Sequence, residues 1–249
     1  MPQGFRRLRP LLLLLAAVAM SLIMALPPVG RYARQDEVAQ AFQFVVFAAA
    51  APALLVLGWP ARLFRASRFL PPALRRVRDP RGPATRPALR ASAALLPVLA
   101  LVIVWRVPVV LAAMDRDPGL TALELVTLVP AGCALWAELA GPHVTRDALP
   151  RPLRATMAAV AMWSIWAIAY IAGMSTTGLA HAQIAVPDHQ LAVGVMWAVP
   201  AVCYVPVVFA TMTSWLGGHE EPAAGVVGLL ADPAWPDTSG PLPPPRGWR

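Results

Sequence analysis

The stretch QAFQFVVFAAAAPALLVLGWP, Gln40 to Pro60, decides the fold of this chain. From Phe44 to Gly58 it carries no charge and no strong hydrogen-bonding side chain. With Val38 to Gln43 in front it is long enough to cross a hydrocarbon core, which takes ~20 residues of helix. It runs straight into an arginine-dense loop, with nine arginines from Arg62 to Arg90 against one acid, Asp79. Short loops with such an excess stay on the cytoplasmic side, because guanidinium groups are held back during insertion. The helix therefore enters from outside and exits inside.

Composition agrees. Of 249 residues, 58% are hydrophobic and only 14% charged, too little polar surface to cover a soluble globule. The net charge of +8 comes entirely from arginine, since the chain has no lysine. Those arginines flank apolar runs and lack aromatic interleaving, so they read as topology signals and nucleic acid is excluded as a partner. Cys133 and Cys203 lie far apart inside apolar segments, without C-x-x-C spacing, and read as small buried hydrophobes.

Outward from the first stretch, the pattern predicts an all-α, polytopic transmembrane helical bundle over residues 1–216. Six spans are expected near 11–28, 38–58, 91–114, 120–139, 155–174 and 190–216, with both termini cytoplasmic. Arg6, Arg7 and Arg9 precede the first run and pin the N-terminus inside. That run ends in Ala-Leu-Pro-Pro rather than a small-residue cleavage site, so it reads as an uncleaved span. Gly30 to Glu37 and Asp115 to Pro118 read as outer turns, and Ser175 to Gln190 as the longest outer loop, holding His181 and His189. Trp59, Trp136 and Trp215 fall at inner ends, where indole N–H groups reach headgroups. Residues 217–249, rich in proline and glycine, read as a disordered cytoplasmic tail.

Few polar residues enter the spans. Arg106 and Glu124 are each nine residues from Asp115, so an antiparallel hairpin brings them to similar depth as a candidate ion pair. An unpaired arginine at the bilayer centre costs ~2.5–3.5 kcal/mol on the insertion scale, so pairing or snorkelling is expected. Asp188, His189 and Gln190 open the last span, Asp188 as an N-cap whose charge suits the helix dipole. Met196 lies seven residues past His189 on the same face. These two, with Met20 and Met24, are the soft ligands of the outer half, although no H-x-x-x-H spacing supports a metal site. No nucleophile–base pair, P-loop or dinucleotide fingerprint is present, so the chain is not expected to be an enzyme.

Three stretches resemble one family. Gln43 with APALLVLGWP (Ala51 to Pro60), the run from Trp105 to Trp136, and DHQLAVGVMW (Asp188 to Trp197) are similar to the conserved patterns of the CtaG-type cytochrome c oxidase assembly factors. The resemblance implies a multi-pass protein of the bacterial plasma (inner) membrane that serves haem–copper oxidase biogenesis, with oxidase subunits or copper-handling proteins as partners besides the lipid bilayer. It also implies copper ligation by histidines at the outer face. This chain has Gln40, Phe44, Arg106, Thr121 and Leu125 at those positions, while Gln43, Trp105, Pro108, Glu124, Trp136, Asp188, Gln190, Met196 and Trp197 keep the pattern. The expected function is oxidase assembly without the usual copper ligands. A small-molecule or ion transporter built on Arg106 and Glu124, and a structural membrane subunit, are the alternatives. The candidate functional polar positions are Gln40, Gln43, Arg106, Glu124, Asp188, His189, Gln190 and Met196.

Overall fold

The computed structural model describes residues 3–58, 87–140, 149–179 and 186–217, all helix apart from short turns. In chain order the helices are α1 (Gln3–Ala25), α2 (Pro27–Gln35), α3 (Glu37–Gly58), α4 (Pro87–Trp105), α5 (Pro108–Arg116), α6 (Gly119–Leu139), α7 (Arg151–Leu179) and α8 (Val186–Leu216). Six of them are long and apolar enough to cross a membrane. The arginine-dense loop, the loop at 141–148, His181 and the tail from 218 onward lie outside the described residues.

α3 is the central helix. It is 72% buried inside the protein, and no other span exceeds 44%. Its first half packs against α8, its second half against α1 and α6, and α7 and α8 form the most extensive pair. Glycine explains two of these approaches. A Cβ at Gly58 would lie 2.6 Å from the Leu14 amide nitrogen and 2.8 Å from the Pro10 carbonyl oxygen, so α1 reaches α3 only over a residue without a side chain. A Cβ at Gly132 of α6 would lie 2.5 Å from Pro52 Cγ. Pro52 also explains why Val46–Ala50 is one π-helical turn. A proline cannot donate to the carbonyl four residues back and crowds it, and a wider turn relieves both problems.

Prolines shift the boundaries away from those read in sequence. The third span is not continuous over 91–114. α4 stops at Trp105 and α5 begins at Pro108, because Val107, before a proline, is driven out of the helical region to φ −65°, ψ 132°. The same effect at Leu26 (φ −62°, ψ 140°) separates α1 from α2. Most of the expected loop from Gly30 to Glu37 is therefore helix, since Pro27 and Pro28 suit a first helical turn. Ser175–Leu179, expected as loop, continues α7, with no proline before Pro187 to stop it. Trp136 does not reach the headgroup zone. It is 2% exposed and stacked on Tyr204 at 5.2 Å between ring centroids, whereas Trp215 is half exposed. Trp59 is outside the described residues.

Candidate functional site

At the end of the bundle that holds the Asp117 turn, charged side chains from four elements converge. Arg106 sits in the break between α4 and α5, where the chain leaves the helical line. Its neighbour Trp105 fixes the break to α6, donating from Nε1 to Thr127 Oγ1 at 3.0 Å. The Arg106 guanidinium carbon stands 4.4 Å from the centroid of the Phe44 ring on α3, within cation–π range. Its Nη2 donates to Met196 Sδ on α8 at 3.0 Å. One cation thus holds α3, the α4–α5 break and α8 together.

Two acids face that cation, Glu124 of α6 and Glu37 of α3. Glu124 is 3% exposed. The depth matching of Arg106 and Glu124 therefore brings them to one cluster, but no direct ion pair forms between them, and the guanidinium is held by a ring and a thioether instead. Glu37 Oε1 lies 2.7 Å from His189 Nδ1, joining the first turn of α3 to the first turn of α8. The other atoms of that pair, Glu37 Oε2 and His189 Nε2, are buried with no hydrogen-bond partner. The backbone places Glu37 firmly, because Asp36 caps α3 by accepting from the Ala39 N–H at 2.7 Å. Two carboxylates, one guanidinium and one imidazole thus gather at one end of the bundle. The arrangement can hold charge and bind hydrogen-bonding groups.

The remaining sequence candidates divide. Gln43, 3% exposed, donates from Nε2 to the Met24 carbonyl oxygen, one of the carbonyls that the end of α1 leaves without an intrahelical donor. Gln40 is half-buried on α3, one turn from both Glu37 and Phe44. Met196 is buried and belongs to the cluster with His189, as their spacing indicated. Asp188 and Gln190 are exposed. Because α8 starts at Val186, Asp188 lies inside the first turn and is not the N-cap, though its charge still suits that end of the helix. Met20 and Met24 are partly buried against the core.

Glu37, at the end of the stretch that reads as an outer turn, is a functional residue the sequence reading does not single out. The available signal was its spacing to Gln40 and Phe44, which places all three on one helical face. A second unforeseen pair closes the opposite end. Arg90 of α4 binds Glu138 of α6 through two parallel hydrogen bonds, Nε to Oε1 at 3.1 Å and Nη2 to Oε2. Nearby on that side Arg151 donates to the Ser214 carbonyl oxygen, tying the start of α7 to the end of α8.

Compared with known families, residues 4–217 match the family model described as cytochrome c oxidase caa3 assembly factor (Caa3_CtaG). No curated protein and no solved structure matches the chain.

Proposed function

The chain belongs to the cytochrome c oxidase caa3 assembly factor family, and from that premise we propose that it serves haem–copper oxidase biogenesis in a bacterial plasma membrane by binding rather than by catalysis. In this reading both ends of the chain face the cytoplasm, the Asp117 turn and the polar cluster face outward, and oxidase subunits are the partners. The observation that carries it is the Arg106 contact with Phe44, both at positions where the family resemblance places histidines.

The residues present do not fit copper. Gln40, Phe44, Arg106, Thr121 and Leu125 supply no imidazole or sulfur, and a guanidinium repels a metal cation. The Met196 thioether, a natural soft ligand, already accepts from Arg106. Among the described residues no three of His, Cys, Asp and Glu are grouped to hold a metal ion. The proposed role therefore uses no copper bound at this cluster. The cluster instead fixes the relative placement of α3, α6 and α8.

The test is deletion of the gene, followed by oxidase activity and the haem absorption spectrum of the membranes. Loss of both, restored by the wild-type chain and not by Arg106→Leu, is the expected result. Wild-type oxidase levels in the deletion strain, with a changed uptake of an ion or solute, would favour the transporter that a charged cluster in the membrane can also serve.

A further inference from the structure

α7 and α8 share a row of three tryptophans. Trp163 and Trp166 meet edge-on at 5.0 Å, and Trp166 stacks on Trp197 at 4.9 Å with 12° between planes. Trp166 Nε1 donates to the Trp197 carbonyl oxygen at 3.0 Å and is satisfied within the protein. The flanking members are different. Trp163 is 58% exposed and Trp197 42% exposed, and neither indole N–H has an acceptor among the described residues.

Their depth makes this costly. The helix rise puts Trp163 about 18 Å from Arg151 at the start of α7 and about 24 Å from Leu179 at its end. Trp197 lies about 14 Å inside the Asp188 end of its own span. Tryptophan at a membrane surface sits at the headgroup level, where its N–H is solvated. Near the middle of the hydrocarbon there is neither water nor an acceptor on the lipid chains, so an N–H there is left unpaired. Among the described residues the other exposed aromatics bearing a donor avoid this situation. Trp215 is close to a span end, Tyr170 lies two turns nearer the Leu179 end of α7 than Trp163, and Tyr32 lies outside the spans.

Resting on the assembly role above, we propose that this tryptophan face is the docking surface for a transmembrane helix of the oxidase under assembly, one that carries hydroxyl, amide or carbonyl acceptors at mid-membrane depth. The indole donors select that occupant. A second copy of this chain using the same face would bring two more indole donors and, among its exposed side chains there, one hydroxyl at Tyr170, so self-association leaves donors in excess. An acceptor-bearing helix satisfies them, and polar side chains between membrane helices act in this way. The stacked rings supply a rigid, flat surface for the rest of the contact.

The experiment places a photo-crosslinking amino acid at Val160, beside the tryptophan face, and separately at Ile103, a lipid-facing position on α4, in cells making the oxidase. Adducts are probed with antibodies to the oxidase membrane subunits and to this chain. The face predicts an oxidase adduct from Val160 and none from Ile103. Trp163→Phe with Trp197→Phe keeps the rings, removes two N–H groups and should lower that adduct roughly tenfold, as two interhelical hydrogen bonds of ordinary strength in a membrane would. Trp166→Phe, whose N–H points inward, should leave it unchanged. An adduct only to a second copy, equal oxidase adducts from both positions, or full adduct yield in the double variant would each overturn the proposal. Oxidase levels in the same cells report separately on the assembly role, so a chain that supports the oxidase without a Val160 adduct refutes the face alone.

Discussion

Substituting Gly132 tests the packing on which the polar cluster is built. Alanine places a Cβ 2.5 Å from Pro52 Cγ, 2.8 Å from Pro52 Cβ and 3.3 Å from the Ala48 carbonyl oxygen. Ordinary contact between such atoms needs about 3.5–4.0 Å, so α6 must back away from α3 by roughly 1 Å. Neither obstacle can rotate aside, since one is a closed ring and the other main chain. Overpacking of this kind costs about 1–3 kcal/mol, and the rigid neighbours put this site at the upper end. Alanine recovers about 1 kcal/mol of helix propensity, which leaves a net loss of about 2 kcal/mol. Gly194 of α8 provides the matched control, because its Cβ direction meets nothing within 4 Å. The same change there should stabilise by about 0.5–1 kcal/mol. Unfolding in a fixed detergent mixture, followed by circular dichroism, measures both. A Gly132→Ala protein as stable as Gly194→Ala would refute the close contact of α3 with α6.

At the opposite end, Arg90→Leu should cost about 3–5 kcal/mol by stranding Glu138, and adding Glu138→Leu should recover most of the loss; equal, additive losses in unfolding experiments would mean that the pair is not coupled. Gln43→Leu should destabilise by about 1–3 kcal/mol, because the Met24 carbonyl loses its donor, and an unchanged melting curve would count against that bond. For topology, a reporter active only outside the cytoplasm should be silent when fused after Asp79 and active after His181, and the reverse pattern would invert the orientation.

The helical membrane architecture was legible because hydrophobic burial in a bilayer is a composition effect, summed over some twenty residues and insensitive to any one of them. Local breaks were harder to read. Pro108 and Pro27 each drive the residue before them out of the helical region and break the helix, whereas Pro52, Pro97 and Pro130 sit inside helices that continue. The difference at Pro52 is a π turn and a neighbouring glycine on α6, a long-range circumstance that local sequence does not contain. The cluster was legible in part for the same reason. Spacing placed Arg106 and Glu124 at one depth and His189 with Met196 on one face. The choice of Phe44 and Met196, rather than Glu124, as the direct partners of Arg106 depends on how α3 and α8 cross. Arg90 and Glu138 lie 48 residues apart and meet only because α4 and α6 are neighbours.

In the proposed role an arginine takes the place of a metal at the polar cluster. Copper stoichiometry on the purified, detergent-solubilised chain under reducing conditions tests it most directly, with His189→Ala and Met196→Ala measured alongside. Far less than one equivalent should be retained after dialysis, with no difference among the three proteins, because Met196 is engaged by Arg106 and a lone imidazole holds copper weakly. One tightly held equivalent, lost in either variant, would contradict the proposed role and make the cluster a copper site with a different ligand set.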